Sequence, residues 1–354
     1  MKVKILQLIV TIVKGDAIGN ETLMIDRFLR DNNIETGIYA ENIGEGLENK
    51  NIYAYEKLPK LDENDVVIYH LCEATKINLD IKKMKCKKIA RYHNFTPPIF
   101  FERFDFAQYM KQYKAFKEID SLKSVFDTVL ADSEYNKQNL ISMGFNEKSI
   151  YVIPIMIDFS DYEKNLDEDV INKYSDDYVN ILFVGRIVPN KKQGDVVRIF
   201  SYYQNYINKK SRLFLVGTPF SKKYDLLLQS YISELNCTDV YITNHVRFSE
   251  ILAYYKIADV FLCMSEHEGF CVPLLEAMYF ELPIIAYNST AIPYTMNSSG
   301  CLVNTKNPVF ISLIINNIIN NNDLRNKIVD SQNKCLEKYS LDSIQKKFKE
   351  VIYR

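Results

Sequence analysis

The sequence predicts an α/β protein made of two Rossmann-like, doubly wound parallel-sheet domains facing a central cleft. Three observations predict it. The chain has 354 residues, 47% of them hydrophobic, which favours two buried cores over one. Short continuous apolar runs alternate with longer amphipathic stretches, the pattern of strands buried on both faces and joined by crossover helices. The alternation breaks over residues 158–178, where Asp158-Phe159-Ser160-Asp161-Tyr162-Glu163 and Ser175-Asp176-Asp177 are polar and acidic.

In the first half the predicted strands are 3–13, 36–40, 65–71, 87–92, 127–131 and 150–153, with helices at 20–31 and 134–143. Residues 158–178 read as a linker. A second series then begins, with strands at 180–185, 212–216, 239–243, 259–264, 283–287 and 301–303. Its helices fall at 193–207, 221–236, 249–257, 273–280, 308–319 and 323–337, followed by a last one at 341–352. Asn180-Ile181-Leu182-Phe183-Val184 and Leu213-Phe214-Leu215-Val216 are the clearest continuous runs. The predicted domains are therefore 1–157 and 179–340. Ligands of such sheets bind outside the carboxyl ends of the strands.

Bulk properties narrow the function. Charged residues make up 25%, which argues against disorder. A net charge of −1 argues against nucleic acid as a partner, because such domains are usually strongly basic. The seven cysteines, at 72, 86, 237, 263, 271, 301 and 335, form no C-x-x-C pair, and their odd number suits reduced thiols in a cytoplasmic protein. The apolar N-terminus lacks a small-residue cleavage site, and Lys14 and Asp16 follow too soon for a signal peptide, so it reads as a buried strand. No apolar run reaches the roughly 18 residues of a membrane span.

The strongest chemical signal is Glu268-Gly269-Phe270-Cys271-Val272-Pro273-Leu274-Leu275-Glu276-Ala277-Met278, directly after an apolar strand. Pro273 suits the first position of the next helix. The N–H groups of Phe270, Cys271 and Val272 then sit at a helix N-terminus, a ready site for a diphosphate. Gly269 allows close backbone approach. Glu268 and Glu276 flank this anion site, and a carboxylate accepts hydrogen bonds from vicinal hydroxyls. Glu276 also suits a purely structural part, serving the macrodipole or a capping box in the first helical turn.

This string, an E-x7-E motif within E-G-F-x-x-P-L-L-E-A-M, closely resembles the retaining glycosyltransferases of family 4, which have the two-domain GT-B fold. The resemblance implies that Glu268 contacts hydroxyls of a donor sugar, that Glu276 contacts the nucleotide ribose, and that the 269–272 backbone holds sugar and phosphate. It makes the first domain the acceptor side and the second the donor side. The final segment, 341–354, is similar to the family's crossover helix, which packs back on the first domain.

A second constellation, Gly185-Arg186-Ile187-Val188-Pro189-Asn190-Lys191-Lys192, follows a buried strand. A diphosphate leaving group needs cations as its charge grows. The resemblance to the family's G-R-x-x-x-x-K pattern implies that Arg186 and Lys191 neutralise the donor phosphates. Lys192 is an equally cationic neighbour, so the choice of Lys191 depends on the family spacing. The plain alternative is a solvated basic loop. A third segment, Lys14-Gly15-Asp16-Ala17-Ile18-Gly19, resembles the family's N-terminal glycine loop. This implies a donor-binding place for Gly15 and Gly19 and an acceptor-side place for Asp16; a simple turn explains it equally well.

Four histidines, His70, His93, His245 and His267, each lie at or just after the carboxyl end of a predicted strand. His93 lies in Tyr92-His93-Asn94-Phe95-Thr96-Pro97, which is similar to the Y-H-N-x-T-P segment of some family members. This implies a contact of His93 with the donor sugar, with Asn94 on the acceptor side. The resemblance implies that the nucleobase sits at the backbone of Asn244, His245 and Val246, after the predicted strand 239–243. Asp132-Ser133 suits a helix cap or an acceptor contact. The histidines read as too scattered for a metal cluster, and no carboxylate pair resembles the D-x-D metal motif of the other main glycosyltransferase fold. Neither metal nor cofactor is expected besides a nucleoside diphosphate sugar as co-substrate. Two positions depart from the family pattern: Tyr294 replaces a Glu after Ile-Pro, and Glu281 replaces a Gly before Pro283.

The resemblance implies retaining, metal-independent transfer from a UDP- or GDP-linked sugar to an acceptor hydroxyl. A glycan or lipid-linked sugar of bacterial surface polysaccharide is the expected acceptor. The basic run Lys82-Lys83-Met84-Lys85-Cys86-Lys87-Lys88 suits either a solvated face or peripheral contact with an anionic membrane at the inner face. The rivals are a sugar-nucleotide epimerase or phosphorylase on the same fold, and a catalytically silent partner subunit. A silent subunit has no need of Glu268, Arg186 and Lys191, and all three are present.

Overall fold

The computed structural model describes residues 4–13, 15–47, 51–160, 162 and 166–353. Val3 of the predicted first strand, Lys14 of the glycine turn, and Asp161 and Glu163 of the predicted linker lie outside them. The chain divides into two compact units, Met1–Ile157 with Tyr339–Arg354, and Asp158–Lys338.

The first unit is built on β1 (Lys4–Ile12), β2 (Glu35–Ile43), β3 (Ile52–Ala54), β4 (Val66–Leu71), β5 (Lys87–Tyr92), β6 (Thr128–Ala131) and β7 (Ile150–Val152). Their order is β3-β2-β1-β4-β5-β6-β7, and each neighbouring pair is parallel. Its helices are α1 (Ala17–Asp31), α2 (Ile77–Asp80), α3 (Phe106–Ile119) and α4 (Glu134–Ser142). The strand order reverses between β1 and β4, which opens a crevice at their carboxyl ends.

The second unit begins with α5 (Glu168–Tyr174) and β8 (Val179–Val184), then α6 (Gln193–Tyr206), β9 (Ser211–Val216), α7 (Lys222–Glu234), β10 (Val240–Ile242) and α8 (Phe248–Ile257). It continues through β11 (Val260–Cys263), α9 (Val272–Tyr279), β12 (Ile284–Tyr287), α10 (Ile292–Met296), β13 (Cys301–Val303), α11 (Pro308–Asn320) and α12 (Asn322–Leu336). The sheet order β10-β9-β8-β11-β12-β13 is again all parallel, with its reversal between β8 and β11.

The last helix, α13 (Leu341–Ile352), belongs to the first unit. Ile344, Phe348, Val351 and Ile352 share one face, at the spacing of an amphipathic helix. They join Ile25, Phe28, Ile68 and Ile89 in one core, and the Phe28 and Phe348 rings meet edge-on with centroids 5.7 Å apart. Each such side chain contributes about 1.5–3 kcal/mol when fully buried.

The predicted linker 158–178 needs correction. Its middle folds into α5, with Asp167 as N-cap accepting from the Val170 N–H at 3.1 Å and Glu168 and Asp169 in the first turn. The acids that read as linker are cap and macrodipole partners. Val170 and Tyr174 are buried, and Tyr162 upstream is buried as well. The boundary between units falls at residue 157/158. The elements β3, α2, α3 and α10 appear where no regular element was predicted.

Candidate functional site

In the second unit, parallel strands send every βα loop out of the same sheet edge. The loops after β8 and β11 flank the reversal of strand order and are stitched together. The Glu266 N–H donates to the Asn190 carbonyl at 2.8 Å, and Asn190 Nδ2 donates to the His267 carbonyl at 2.9 Å. Gly217, after β9, lies so close that a Cβ there would meet the Gly185 carbonyl oxygen at 2.1 Å, so only glycine fits. The Gly217 N–H in turn donates to Thr243 Oγ1 at 3.3 Å, next to the exposed loop of Asn244, His245 and half-buried Val246.

Lys191 and Glu268 meet here: Lys191 Nζ lies 2.6 Å from Glu268 Oε1. Burial works against the ammonium, but Glu268, with the Cys271 and Cys263 sulfurs nearby, outweighs it and lifts Lys191 above its ordinary value. Lys192 instead turns to Glu266 Oε2 at 2.9 Å, and Glu266 Oε1 also receives Lys306 at 2.6 Å. The two lysines that sequence spacing alone left open thus differ in place: Lys191 pairs with the first glutamate of the motif, and Lys192 pairs with Glu266. Arg186 is exposed, and its side chain has no ion pair or hydrogen bond among the described residues.

Glu268 is 8% exposed, and its N–H donates to Thr290 Oγ1 at 2.9 Å. The backbone then passes Gly269 and Phe270, whose carbonyl accepts from Thr295 Oγ1 at 2.5 Å, to Cys271, the N-cap of α9. Cys271 adopts a left-handed φ of 71°, uncommon for a residue with a side chain. Helix α9 starts at Val272, one residue before the predicted start at Pro273. The amides of a first helical turn have no intrahelical acceptor, which suits them to an anion. The Cys271 thiol is held well above its usual range by its hydrogen bond with Cys263 and by burial. All seven cysteines are free.

Glu276 sits in α9 with two phenol partners that the sequence did not reveal. Tyr162 donates to Oε1 at 3.2 Å and Tyr255 to Oε2 at 2.8 Å. Burial raises the Glu276 carboxyl above its ordinary value, and the two phenols partly oppose this. No local signal links Tyr162 to Glu276, because the contact spans 114 positions.

In the first unit the glycine turn and the histidines lie at the β1/β4 reversal. Asp16 is the N-cap of α1, its carboxylate accepting from the Gly19 N–H at 3.3 Å. A Cβ on Gly19 would meet the Val13 carbonyl oxygen at 2.4 Å, so this close approach requires glycine. Gly15 lies in the turn itself, with open space beside it.

Two of the four histidines that read as scattered in the sequence, His70 and His93, come together here, while His245 and His267 belong to the second unit. His70 and His93 lie in parallel planes, 2° apart, with His70 Nδ1 2.9 Å from His93 Nε2. His93 Nδ1 is 3.0 Å from Asp132 Oδ2, and His70 Nε2 is 3.0 Å from Gln7 Oε1. Gln7 Nε2 donates to the Thr22 carbonyl at 3.1 Å, so its oxygen faces His70 and the His70 hydrogen sits on Nε2. Burial pulls His70 well below its ordinary value and keeps it neutral. Arg91 anchors the group, donating to both oxygens of Glu21 at 3.0 and 2.5 Å and to the Ile153 carbonyl at 2.6 Å, with Nη2 3.0 Å from Asp132 Oδ1.

Both ring nitrogens of His93 are therefore engaged, and its side chain is only 2% exposed. The expected contact of His93 with a donor sugar does not fit this geometry, because Asp132 and His70 hold the ring inward. Candidate metal-ligand atoms of Glu21, His70 and His93 lie within 4.8 Å of one another. The two imidazoles engage each other, Asp132 and Gln7, and Glu21 is held by Arg91, so the group is internally compensated. Asn94 also turns inward: its Nδ2 donates to Asn136 Oδ1 at 2.8 Å, and its Oδ1 accepts from the Phe95 N–H at 2.6 Å. Ser133 caps α4, and Asp132 serves His93 and Arg91 rather than the cap. Glu21, Arg91 and Gln7 were missed, although an Arg inside an apolar strand was a visible signal.

Residues 164–334, most of the second unit, match the family model of glycosyl transferases group 1. Over 170 residues the chain is 30% identical to an alpha-monoglucosyldiacylglycerol synthase of Acholeplasma laidlawii, covering 46% of this chain and 39% of the relative. It is 22% identical over 231 residues to the amylovoran biosynthesis glycosyltransferase AmsD of Erwinia amylovora, covering 64% and 62%. The chain thus spans about two to three fifths of the length of the curated relatives it matches. Among solved structures, Anabaena Alr3699/HepE in complex with UDP and glucose aligns with a TM-score of 0.76 at 17% identity, over 99% of both chains. WaaG, a glycosyltransferase involved in lipopolysaccharide biosynthesis, aligns with a TM-score of 0.72 at 11% identity, over 98% and 99%. These likenesses establish the fold: two Rossmann-like α/β units of GT-B type.

Proposed function

We propose that this chain, with its glycosyl transferases group 1 domain, is a retaining, metal-independent glycosyltransferase of family 4 that uses a UDP- or GDP-linked sugar. The observation that carries the reading is the Lys191–Glu268 pair at the β8/β11 reversal, beside the N-terminal end of α9 and the uncompensated Arg186. A diphosphate placed there meets helix amides, one free guanidinium and one ammonium shared with Glu268.

In the proposed step the bond from the sugar's anomeric carbon to the diphosphate oxygen breaks, and the electron pair leaves with the phosphate. The acceptor oxygen bonds to the same face of the anomeric carbon, and its proton passes to the departing phosphate. Fixed donors aimed at the leaving group stabilise the charge that develops. Glu268 orients the sugar hydroxyls through Oε2, which has no partner among the described residues. The second unit holds the donor, and the first unit is assigned the acceptor.

The names of the relatives support an acceptor hydroxyl on a lipid or a growing polysaccharide. A cytoplasmic location is part of the proposal and rests on the free thiols. No helix of the described residues is long and apolar enough to cross a membrane. Peripheral contact with anionic lipid is proposed through the run at 82–88, where Lys82, Lys83 and Lys85 are exposed. Each lysine near such a surface contributes about 1 kcal/mol. Sedimentation with phosphatidylglycerol vesicles tests this, and equal pelleting with neutral vesicles overturns it.

A thermal-shift screen of UDP- and GDP-sugars tests the donor. A ligand at a hundred times its Kd stabilises by about 2.7 kcal/mol. Product analysis by NMR then reads the anomeric configuration, and activity that survives EDTA supports metal independence. An inverted product, or turnover of the donor without any acceptor, contradicts the proposal.

A further inference from the structure

We infer that Tyr255 and Tyr162 are positioning residues that hold the Glu276 carboxylate so that it selects a ribonucleotide over its 2′-deoxy counterpart. The inference rests on the donor-binding reading above and deepens it.

The two phenols approach different oxygens of one carboxylate. Tyr255 donates to Oε2 at 2.8 Å and Tyr162 to Oε1 at 3.2 Å. Neither ring is loose. Tyr255 stacks on Phe280 with planes 3° apart and centroids at 5.6 Å, and on Phe261 at 6.0 Å. Tyr162 is wedged edge-on against Phe159 at 4.9 Å, Phe248 at 5.2 Å and Tyr279 at 5.6 Å. The carboxylate is thereby clamped by side chains whose own rotamers are fixed by packing, which is the support a precise binding group requires.

The count of lone pairs gives the selectivity. An ionised carboxylate accepts at about four positions, two on each oxygen. One on each oxygen is taken by a phenol, which leaves one on each. A vicinal diol supplies one hydroxyl per oxygen and fills both. A 2′-deoxy sugar fills one and leaves a half-buried carboxylate oxygen short of a donor. Sites built around a hydrogen bond reject the analogue that lacks it strongly, because the protein group is left unpaired. Tyr255 has one alternative acceptor, the Pro273 carbonyl at 3.4 Å, so loss of the Glu276 carboxylate does not strand its hydroxyl.

Titration calorimetry of UDP, GDP and their 2′-deoxy analogues with the full chain tests this. Wild type is expected to prefer the ribonucleotide of its base by roughly tenfold or more. Tyr255→Phe keeps the ring and is expected to weaken that ribonucleotide about three- to tenfold while leaving the deoxy analogue unchanged, which collapses the preference. Tyr162→Phe is expected to do the same with a smaller loss. Thermal melting of both variants reports their folding. If both variants weaken ribo and deoxy ligands equally, the tyrosines serve only structure and the inference falls, while the donor reading stands. If wild type binds neither UDP nor GDP, the donor reading falls and takes this inference with it.

Discussion

Lys191 Nζ and Glu268 Oε1, 2.6 Å apart, join the loop after β8 to the loop after β11. The pair has two consequences. Lys191 is committed to Glu268, so a diphosphate bound as proposed has to share it. Removing one partner leaves the other charged and nearly buried, with side-chain exposures of 16% and 9%. Lys191→Ala is therefore expected to destabilise the second unit by about 3 kcal/mol. The double variant Lys191→Met with Glu268→Gln should recover much of that loss. Urea unfolding of Lys191→Met, Glu268→Gln and their double measures the coupling; additive effects contradict the pair.

The two motif glutamates are expected to separate in kinetics. Glu276→Ala should mainly raise the donor KM, because a ribose contact is made equally in ground and transition states. Glu268→Ala should mainly lower kcat, because sugar alignment matters most as the bond breaks. Each effect is expected at roughly ten- to hundredfold, the worth of a charged hydrogen bond. Steady-state kinetics with the donor found by thermal shift decides.

Glu276 also sets a pH dependence. Its folded pKa is raised by burial, against the partial opposition of Tyr255 and Tyr162. A carboxyl raised in the folded state favours folding while protonated, and that contribution is lost as pH rises through the folded value. Nucleotide binding as proposed runs the other way, because the ionised carboxylate is the form that accepts from a ribose diol. Affinity is expected to fall as pH drops through the raised Glu276 value, above the ordinary glutamate pKa of about 4.3. Glu276→Gln should bind weakly at every pH and lack this limb. An acid limb that is unchanged in Glu276→Gln assigns it to another group.

Arg91 is expected to be the most sensitive side chain of the first unit. It is 1% exposed and serves Glu21 and Asp132, themselves 1% and 2% exposed. Arg91→Met leaves two buried carboxylates without their cation and is expected to cost about 3–5 kcal/mol. Hydrogen exchange should show the loss in β5 and α1 ahead of the second unit. A variant melting at the wild-type temperature contradicts this accounting.

Much of the fold was legible because strands buried on both faces are written as unbroken apolar runs. The predicted 180–185 and 212–216 correspond to β8 at Val179–Val184 and β9 at Ser211–Val216. The strand β3 escaped because its three residues carry no pattern. Helix α3 escaped because its apolar residues do not track its buried face: Gln112, Ala115 and Ile119 are inside, while Phe106 and Met110 are exposed. Helix α5 escaped because cap and first-turn acids look like a polar linker.

The candidate site was legible where one strand–loop–helix carries it, as in 268–276. Tyr162, Tyr255, Thr290 and Asn190 were not legible, because tertiary packing brings them in from distant segments. His93 shows the converse. Its motif was visible, but the Asp132 and His70 partners that turn it inward were not.

The central claim is that a diphosphate binds at the N-terminal end of α9 with the free guanidinium of Arg186. Calorimetric titration of UDP and GDP into wild type and Arg186→Ala tests it most directly. The Arg186 side chain has no ion pair or hydrogen bond among the described residues, so its loss should leave stability within about 0.5 kcal/mol of wild type. The same change should weaken the bound nucleotide roughly tenfold or more, and uridine and guanosine should bind far more weakly than their diphosphates. Equal affinity of wild type and Arg186→Ala, or of nucleoside and diphosphate, would contradict the account.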